Sequence, residues 1–218
     1  MAALTVLAFV VIIISSSKKV KAADKAVVVT ELKDVKQINR IVAMGNVEVF
    51  ITQGIEEGLK VYDKYYAKNA LVQWEAGELR ISSFDRKKLT VAVTVNSLSS
   101  IEASGDAFVR TMNELSAINL DIQLKDNATA RLEAKALSIS SSLEGGSKLE
   151  LSGESENQHL ALRGAAQYEA TRFTSPNRSM SLSEGTAASI NQDIRSTSIK
   201  SFTSIPAKEN TLLFELEQ

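Results

Sequence analysis

Along most of this chain the apolar residues fall on every second position, in short runs broken by polar corners. "NVEVFITQG" places Val47, Val49 and Ile51 on one side and Glu48, Phe50 and Thr52 on the other, and Gly54 ends the run. "GLKVYDK", "GELRISS" and "LTVAVTV" repeat the pattern through Leu59 and Val61, Leu79 and Ile81, and Leu89, Val91, Val93 and Val95. Period two is the mark of a strand with one face in a core. Only "YYAKNALVQW", residues 65–74, has room for a turn or two of helix, and it lacks a clear cap. The pattern predicts an all-β chain.

From residue 99 a longer period is superimposed. "IEASGDAFV", "IQLKDNATA", "SSSLEGGSKL", "LALRGAAQY" and "SLSEGTAAS" align on Gly105, Asp126, Gly145, Gly164 and Gly185, with spacings of 21, 19, 19 and 21. Alternating apolar residues precede the corners: Leu120, Ile122 and Leu124, then Leu137 and Ile139, Leu160 and Leu162, Met180 and Leu182. A fixed period near 20 residues belongs to repeat architectures, in which each unit buries its face against its neighbours. The leucine-rich-repeat reading fits less well, because only "LDIQLKDN" carries the Asn and no helical pattern fills the intervals. A parallel β-solenoid with one coil per ~20 residues explains more. Its coils would stack at ~4.8 Å, so each corner presses on the next. Gly, Asp and Asn are the residues that tolerate left-handed backbone there.

Composition narrows the function classes. The 218 residues carry 25 basic and 26 acidic side chains, a net charge of −1 that gives no electrostatic reason for a nucleic-acid partner. There is no Cys and a single His, His159, so common zinc sites and cysteine nucleophiles are out of reach. "AALTVLAFVVIII", residues 2–14, is an unbroken apolar run followed by "SSSKKVKAAD". It is shorter than the ~20 residues that cross a bilayer and suits a secretory signal, residues 1–22, with cleavage before Ala23. A retained membrane anchor and a buried strand are the alternatives.

The residues "INRIVAMGNVEVFITQGIEEGLKVYDKYYAKNALVQWEAGELRIS" and "LTVAVTVNSLSSIEASGDAFV" resemble the DUF2807 family, the auto-transporter adhesin, head GIN domain proteins. The likeness rests on Val47-x-Val49-x-Ile51-Thr52-Gln53-Gly54, on Gly77-x-Leu79-x-Ile81, and on Leu98-x-x-Ile101-x-Ala103-Ser104-Gly105-Asp106. It spans roughly residues 36–206. After Gly45 this chain has Asn46-Val47-Glu48 where the family's Gly-Ile-Asn is expected. The resemblance implies a right-handed parallel β-helix-like fold, export to the periplasm, outer membrane or cell surface, chiefly in Bacteroidetes, and no catalytic residues.

The expected division is a β subregion over 26–98 whose strand meander caps the stack, a solenoid over 99–206, and a terminal strand or tail over 207–218. No catalytic, cofactor-binding or metal-ligating residue is assigned. Asp106, Asp126, Glu144 and Glu184 each fall within one position of a corner. Carboxylates on adjacent coils could stand ~5–10 Å apart, as paired glycosidase acids do, so a polysaccharide-active enzyme is the alternative to a binding or structural scaffold. As acids at corners they read first as solvated turns, and the Gly-Gly-x-Gly-x-Asp calcium repeat is absent. Tyr62, Tyr65, Tyr66 and Trp74 are candidate dockers for glycans or envelope proteins, against a bland role packing the cap.

Overall fold

The computed structural model describes residues 29–32, 35–62, 70–183, 185–190 and 196–201. The apolar leader and residues 207–218 lie outside them, as do Tyr65, Tyr66 and Glu184. Every regular element among the described residues is a strand. In chain order they begin with β1 (Val29–Leu32), β2 (Arg40–Gly45), β3 (Val47–Gln53) and β4 (Gly58–Tyr62). Next come β5 (Ala70–Glu75), β6 (Glu78–Ser83), β7 (Leu89–Val95) and β8 (Ser100–Ser104). Then follow β9 (Phe108–Thr111), β10 (Leu115–Leu124), β11 (Thr129–Leu143) and β12 (Lys148–Leu162). The last are β13 (Gln167–Thr174), β14 (Asn177–Leu182), β15 (Ala187–Ile190) and β16 (Ser196–Ser201).

All sixteen belong to one mixed sheet that resolves into two ladders. The front ladder runs β5-β6-β2-β8-β10-β11-β12-β14-β16, and the back ladder runs β1-β4-β7-β3-β9-β11-β12-β13-β15. The long strands β11 and β12 serve both, their first residues in the back and their last in the front. From β8 onward the pairing is parallel and repeats at the predicted interval: Leu115 lies opposite Ala134, which lies opposite Gly153. On the front ladder Leu79, Ile41, Ile101, Ile122, Ser141, Leu160 and Met180 stand opposite one another in a single buried column. Valines and alanines of the back ladder meet them in one continuous core. Period-two alternation is therefore what sorts side chains into stacked inner and outer columns.

The corner residues do what their chemistry suggests. Gly105, Asp126, Gly145, Gly164 and Gly185 all have positive φ, and Gly45 joins the same column. A Cβ on Gly145 would lie 3.0 Å from the carbonyl oxygen of Asp126 in the level before it. Asp126 is the one non-glycine in this column, and its Oδ2 accepts a hydrogen bond from the Gly105 N–H at 3.1 Å. The side chain thus binds the turn beneath it and compensates for its left-handed backbone.

Three sequence expectations change. Residues 70–74 of the possible helix lie in strand β5, joined to β6 by the turn Ala76-Gly77, where both residues have positive φ, as a two-residue type I′ hairpin requires. Leu137 is 55% exposed rather than inward, because the ladder breaks between Ala117↔Ala136 and Asn119↔Ser138 and the alternation restarts there. The segment expected as a plain meander holds two levels of the stack in inverted order: β2 and β3 lie between the β6–β7 level and the β8–β9 level. Among the described residues the antiparallel pairings are β1–β4, β4–β7 and β5–β6, at that end.

Candidate functional site

The outer surface of the front ladder is built from small polar residues. One column runs Asn119, Ser138, Asn157, Asn177, and the next runs Asp121, Ser140, His159, Ser179. Asn177 Nδ2 donates to Asn157 Oδ1 at 3.4 Å and to Glu156 Oε1 at 3.2 Å, so the amides link successive levels. Toward β6 the same face carries ion pairs, Arg40 to Glu102 at 2.6 Å and to Glu78 at 3.1 Å. His159 points outward and is exposed.

The three described corner acids stand in separate, adjacent columns. Asp126 is the corner residue itself, Asp106 follows its corner glycine, and Glu144 precedes Gly145, so each falls in a different column. Asp126 is engaged with Gly105, while Asp106 Oδ1 accepts from Asn127 Nδ2 at 3.4 Å. Glu144 is exposed at the level between Lys125 and Arg163. Among the described residues no group of three or more His, Asp or Glu is placed to hold a metal ion. The aromatics are separated as well: Tyr62 faces outward opposite Thr90 on the back ladder, and Trp74 stands opposite Leu79 on the front ladder. Both are substantially exposed at the β1/β5 end.

Two features were not anticipated from the sequence. The first is a buried polar cluster. The inner column that begins Leu120, Ile139 continues as Gln158 and Arg178, both buried. Gln158 Nε2 donates to the hydroxyl of Tyr168, which reaches across from the back ladder. Arg178 donates to the Phe173 carbonyl at 3.5 Å. Burial pushes the Tyr168 hydroxyl well above its ordinary range, and it pulls the Arg178 guanidinium down. The only advance signal was spacing, since Gln158 and Arg178 sit one and two repeats after Ile139.

The second is an open groove of about 580 Å³ on the back ladder, lined by Arg110, Arg131, Arg172, Glu133, Glu150 and Glu169 among others. Its shape depends on a β-bulge. Glu150 pairs with Glu169, but Ser152 pairs with Arg172, so β13 carries one extra residue. Consequently Thr171 and Arg172, adjacent in sequence, are both exposed between the buried Ala170 and Phe173. Strict alternation from Tyr168 and Ala170 would have turned Arg172 inward; the bulge aims it into the groove. Across the groove Arg131 pairs with Glu150 at 2.6 Å and lies 5.8 Å from the Phe108 ring centre.

The comparisons agree with this architecture. The crystal structure of a "putative adhesin" from Bacteroides fragilis is 19% identical and superposes with a TM-score of 0.64, over 82% of this chain and 95% of that one. A "putative lipid binding protein" from Parabacteroides distasonis gives a TM-score of 0.61 at 12% identity, over 79% and 93% of the two chains. A "putative adhesin" from Parabacteroides merdae gives 0.58 at 13% identity, over 84% and 94%. At these identities they share the fold. A search of the curated proteins finds no match. Residues 38–201 match the family described as "Putative auto-transporter adhesin, head GIN domain", so the chain belongs to the DUF2807 family.

Proposed function

We propose that this protein is a non-enzymatic component of the cell envelope or surface, exported through the segment at residues 1–22. On this reading its stack is a right-handed parallel β-helix-like solenoid of residues 99–206 and the two levels within residues 26–98, whose antiparallel strands close one end. Its outer faces serve as a binding or structural scaffold for glycans or envelope proteins.

The observation that supports the reading best is the match of residues 38–201 to a family described as adhesins, on a stack whose front face carries columns of small polar residues. Glycoside hydrolysis needs two carboxylates facing one bond at ~5–10 Å, and of the three described corner acids Asp126 and Asp106 are instead engaged by the Gly105 N–H and the Asn127 amide. Weak contacts repeated at every level suit a scaffold, because multivalency raises overall affinity without a deep pocket. The test is a polysaccharide turnover panel run beside a glycan-array and envelope-protein binding screen. Binding without release of reducing or unsaturated ends is expected. Turnover abolished by Asp126→Asn and Glu144→Gln would replace the scaffold with an enzyme. N-terminal sequencing of envelope fractions checks export, with mature protein expected to start near Ala23.

A further inference from the structure

We infer that the arginine groove of the back ladder is a binding site for an acidic polysaccharide, a uronate-bearing chain whose carboxylates meet Arg110 and Arg172. This rests on the scaffold reading above and names the ligand class of one of its faces. Arg110 and Arg172 are both exposed, and the side chain of neither forms an ion pair or hydrogen bond with any described residue. Of the three carboxylates in the groove, Glu150 is held by Arg131 and Glu169 lies 3.7 Å from Lys148. The lining itself carries three arginines and three glutamates; counting Lys148 beside it leaves Glu133 against two uncommitted guanidinium groups, four positive charges to three negative. A guanidinium presents a planar fork that matches a carboxylate with two parallel hydrogen bonds.

The surroundings favour a sugar as the bearer of those carboxylates. Phe50 stands opposite Arg110, and Phe108 stands opposite Glu48 on the adjoining strands, so the two rings are diagonal neighbours on the outer surface, ~7–8 Å apart. Both are partly exposed although the core lies on the other side of the strands. These ring faces adjoin the groove beside Arg110 rather than line it, and the exposed Thr171 lies within it, so stacking, charge pairing and hydrogen bonding are offered along one open surface. The bulge adds the decisive point. It spends one residue of β13 to bring Arg172 out of the core and into line with Ser152, and bulges recur where a side chain must be re-aimed for a task.

The test is calorimetric titration of the purified protein with oligogalacturonate, with neutral malto-oligosaccharide and with poly-glutamate. Oligogalacturonate should bind and weaken as salt rises, while the neutral oligosaccharide should not bind this face. Arg110→Gln and Arg172→Gln should each weaken binding about ten- to a hundredfold, the loss expected for one charge-assisted pair. Phe108→Ala should weaken it further, and Arg163→Gln, outside the groove, should leave it unchanged. Both arginine side chains are exposed, so the thermal midpoints of these variants should match the parent. Oligogalacturonate binding that ignores both substitutions, or poly-glutamate binding of equal strength, overturns the inference. Silence toward oligogalacturonate with glycan or protein binding elsewhere also overturns it and leaves the scaffold reading standing. Silence across the entire glycan and protein panel sinks both.

Discussion

Replacing Gly145 with alanine isolates the stacking of corners. The residue has φ +74°, and a non-glycine side chain in left-handed backbone costs ~1–2 kcal/mol. Its new Cβ would sit 3.0 Å from the Asp126 carbonyl oxygen and 3.2 Å from the Asp126 Cα and N, all backbone atoms of the level before. Relieving that contact means shifting one level against another, at ~1–3 kcal/mol for overpacking. Alanine also restricts the unfolded chain, which returns ~0.4–1 kcal/mol. The net expectation is a loss of ~1–4.5 kcal/mol. Gly146 supplies the control, one residue away in the same turn. It has no positive φ, and its added Cβ would meet the Asn127 Oδ1 at 3.2 Å, the movable end of a side chain, and the Asp126 carbonyl oxygen at 3.5 Å, an ordinary van der Waals contact. Gly146→Ala should therefore change stability by less than ~1 kcal/mol. Gly145→Asn should recover part of the loss, since Asn tolerates this backbone best among non-glycines. Urea unfolding with unchanged m-values measures all three. Equal effects at 145 and 146, or a neutral Gly145→Ala, would refute the stacked-corner account.

Ile139 is fully buried and Ser140 is exposed, so by chemical denaturation Ile139→Asp should cost several kcal/mol, ~3 or more, and Ser140→Asp under ~1. Ala76 carries φ +48° in the β5–β6 hairpin, and Ala76→Asn, giving the favoured Asn-Gly pair, should raise stability by ~0.5–1 kcal/mol in the same assay. Burial raises the ionisation range of Tyr168, so the stability it contributes is whole below the ordinary tyrosine value near 10 and declines as pH rises from there toward the folded value. Denaturation at stepped pH should show the advantage of the parent over Tyr168→Phe narrowing above pH ~10; a constant gap would refute it. Gln158→Leu should cost ~1–3 kcal/mol by stranding the Tyr168 hydroxyl, and adding Tyr168→Phe should restore most of it.

The corners were the most legible part of the sequence because few residues can occupy them. Gly105, Asp126, Gly145, Gly164 and Gly185 were aligned by type and interval alone, and all five have positive φ. Inner positions such as Ile122, Leu124, Ile139 and Leu162 were equally plain, since period two leaves one choice of face. Legibility failed where alternation is interrupted. Leu137 lies at a bend that restarts the count, and Arg172 is turned outward by a bulge that no residue type announces. Gln158 and Arg178 were hidden for another reason: polarity argues against burial unless the repeat position is trusted above the side chain. The inverted order of the first two levels could not be read at all, because β2, β3, β6 and β7 look alike as isolated strands. The arginine groove followed from these same blind spots.

The near-constant interval between paired strands bears on how such a chain can change length. Residue 126 stacks on 105, and 145 on 126, and most side chains of the strands between them stand in columns. An in-frame duplication of residues 126–144 would insert one more storey with inner residues still inside and the corner column intact. Losing or gaining a single residue in β10, β11 or β12 would instead exchange the two faces of everything that follows until a bulge corrected it. The antiparallel strands at the β1/β5 end interrupt the parallel run there, so lengthening by duplication is confined to the other side. Gene-level variation in this architecture is thereby quantised: whole storeys are the permitted step, and β13, with its one extra residue, marks a tolerated exception.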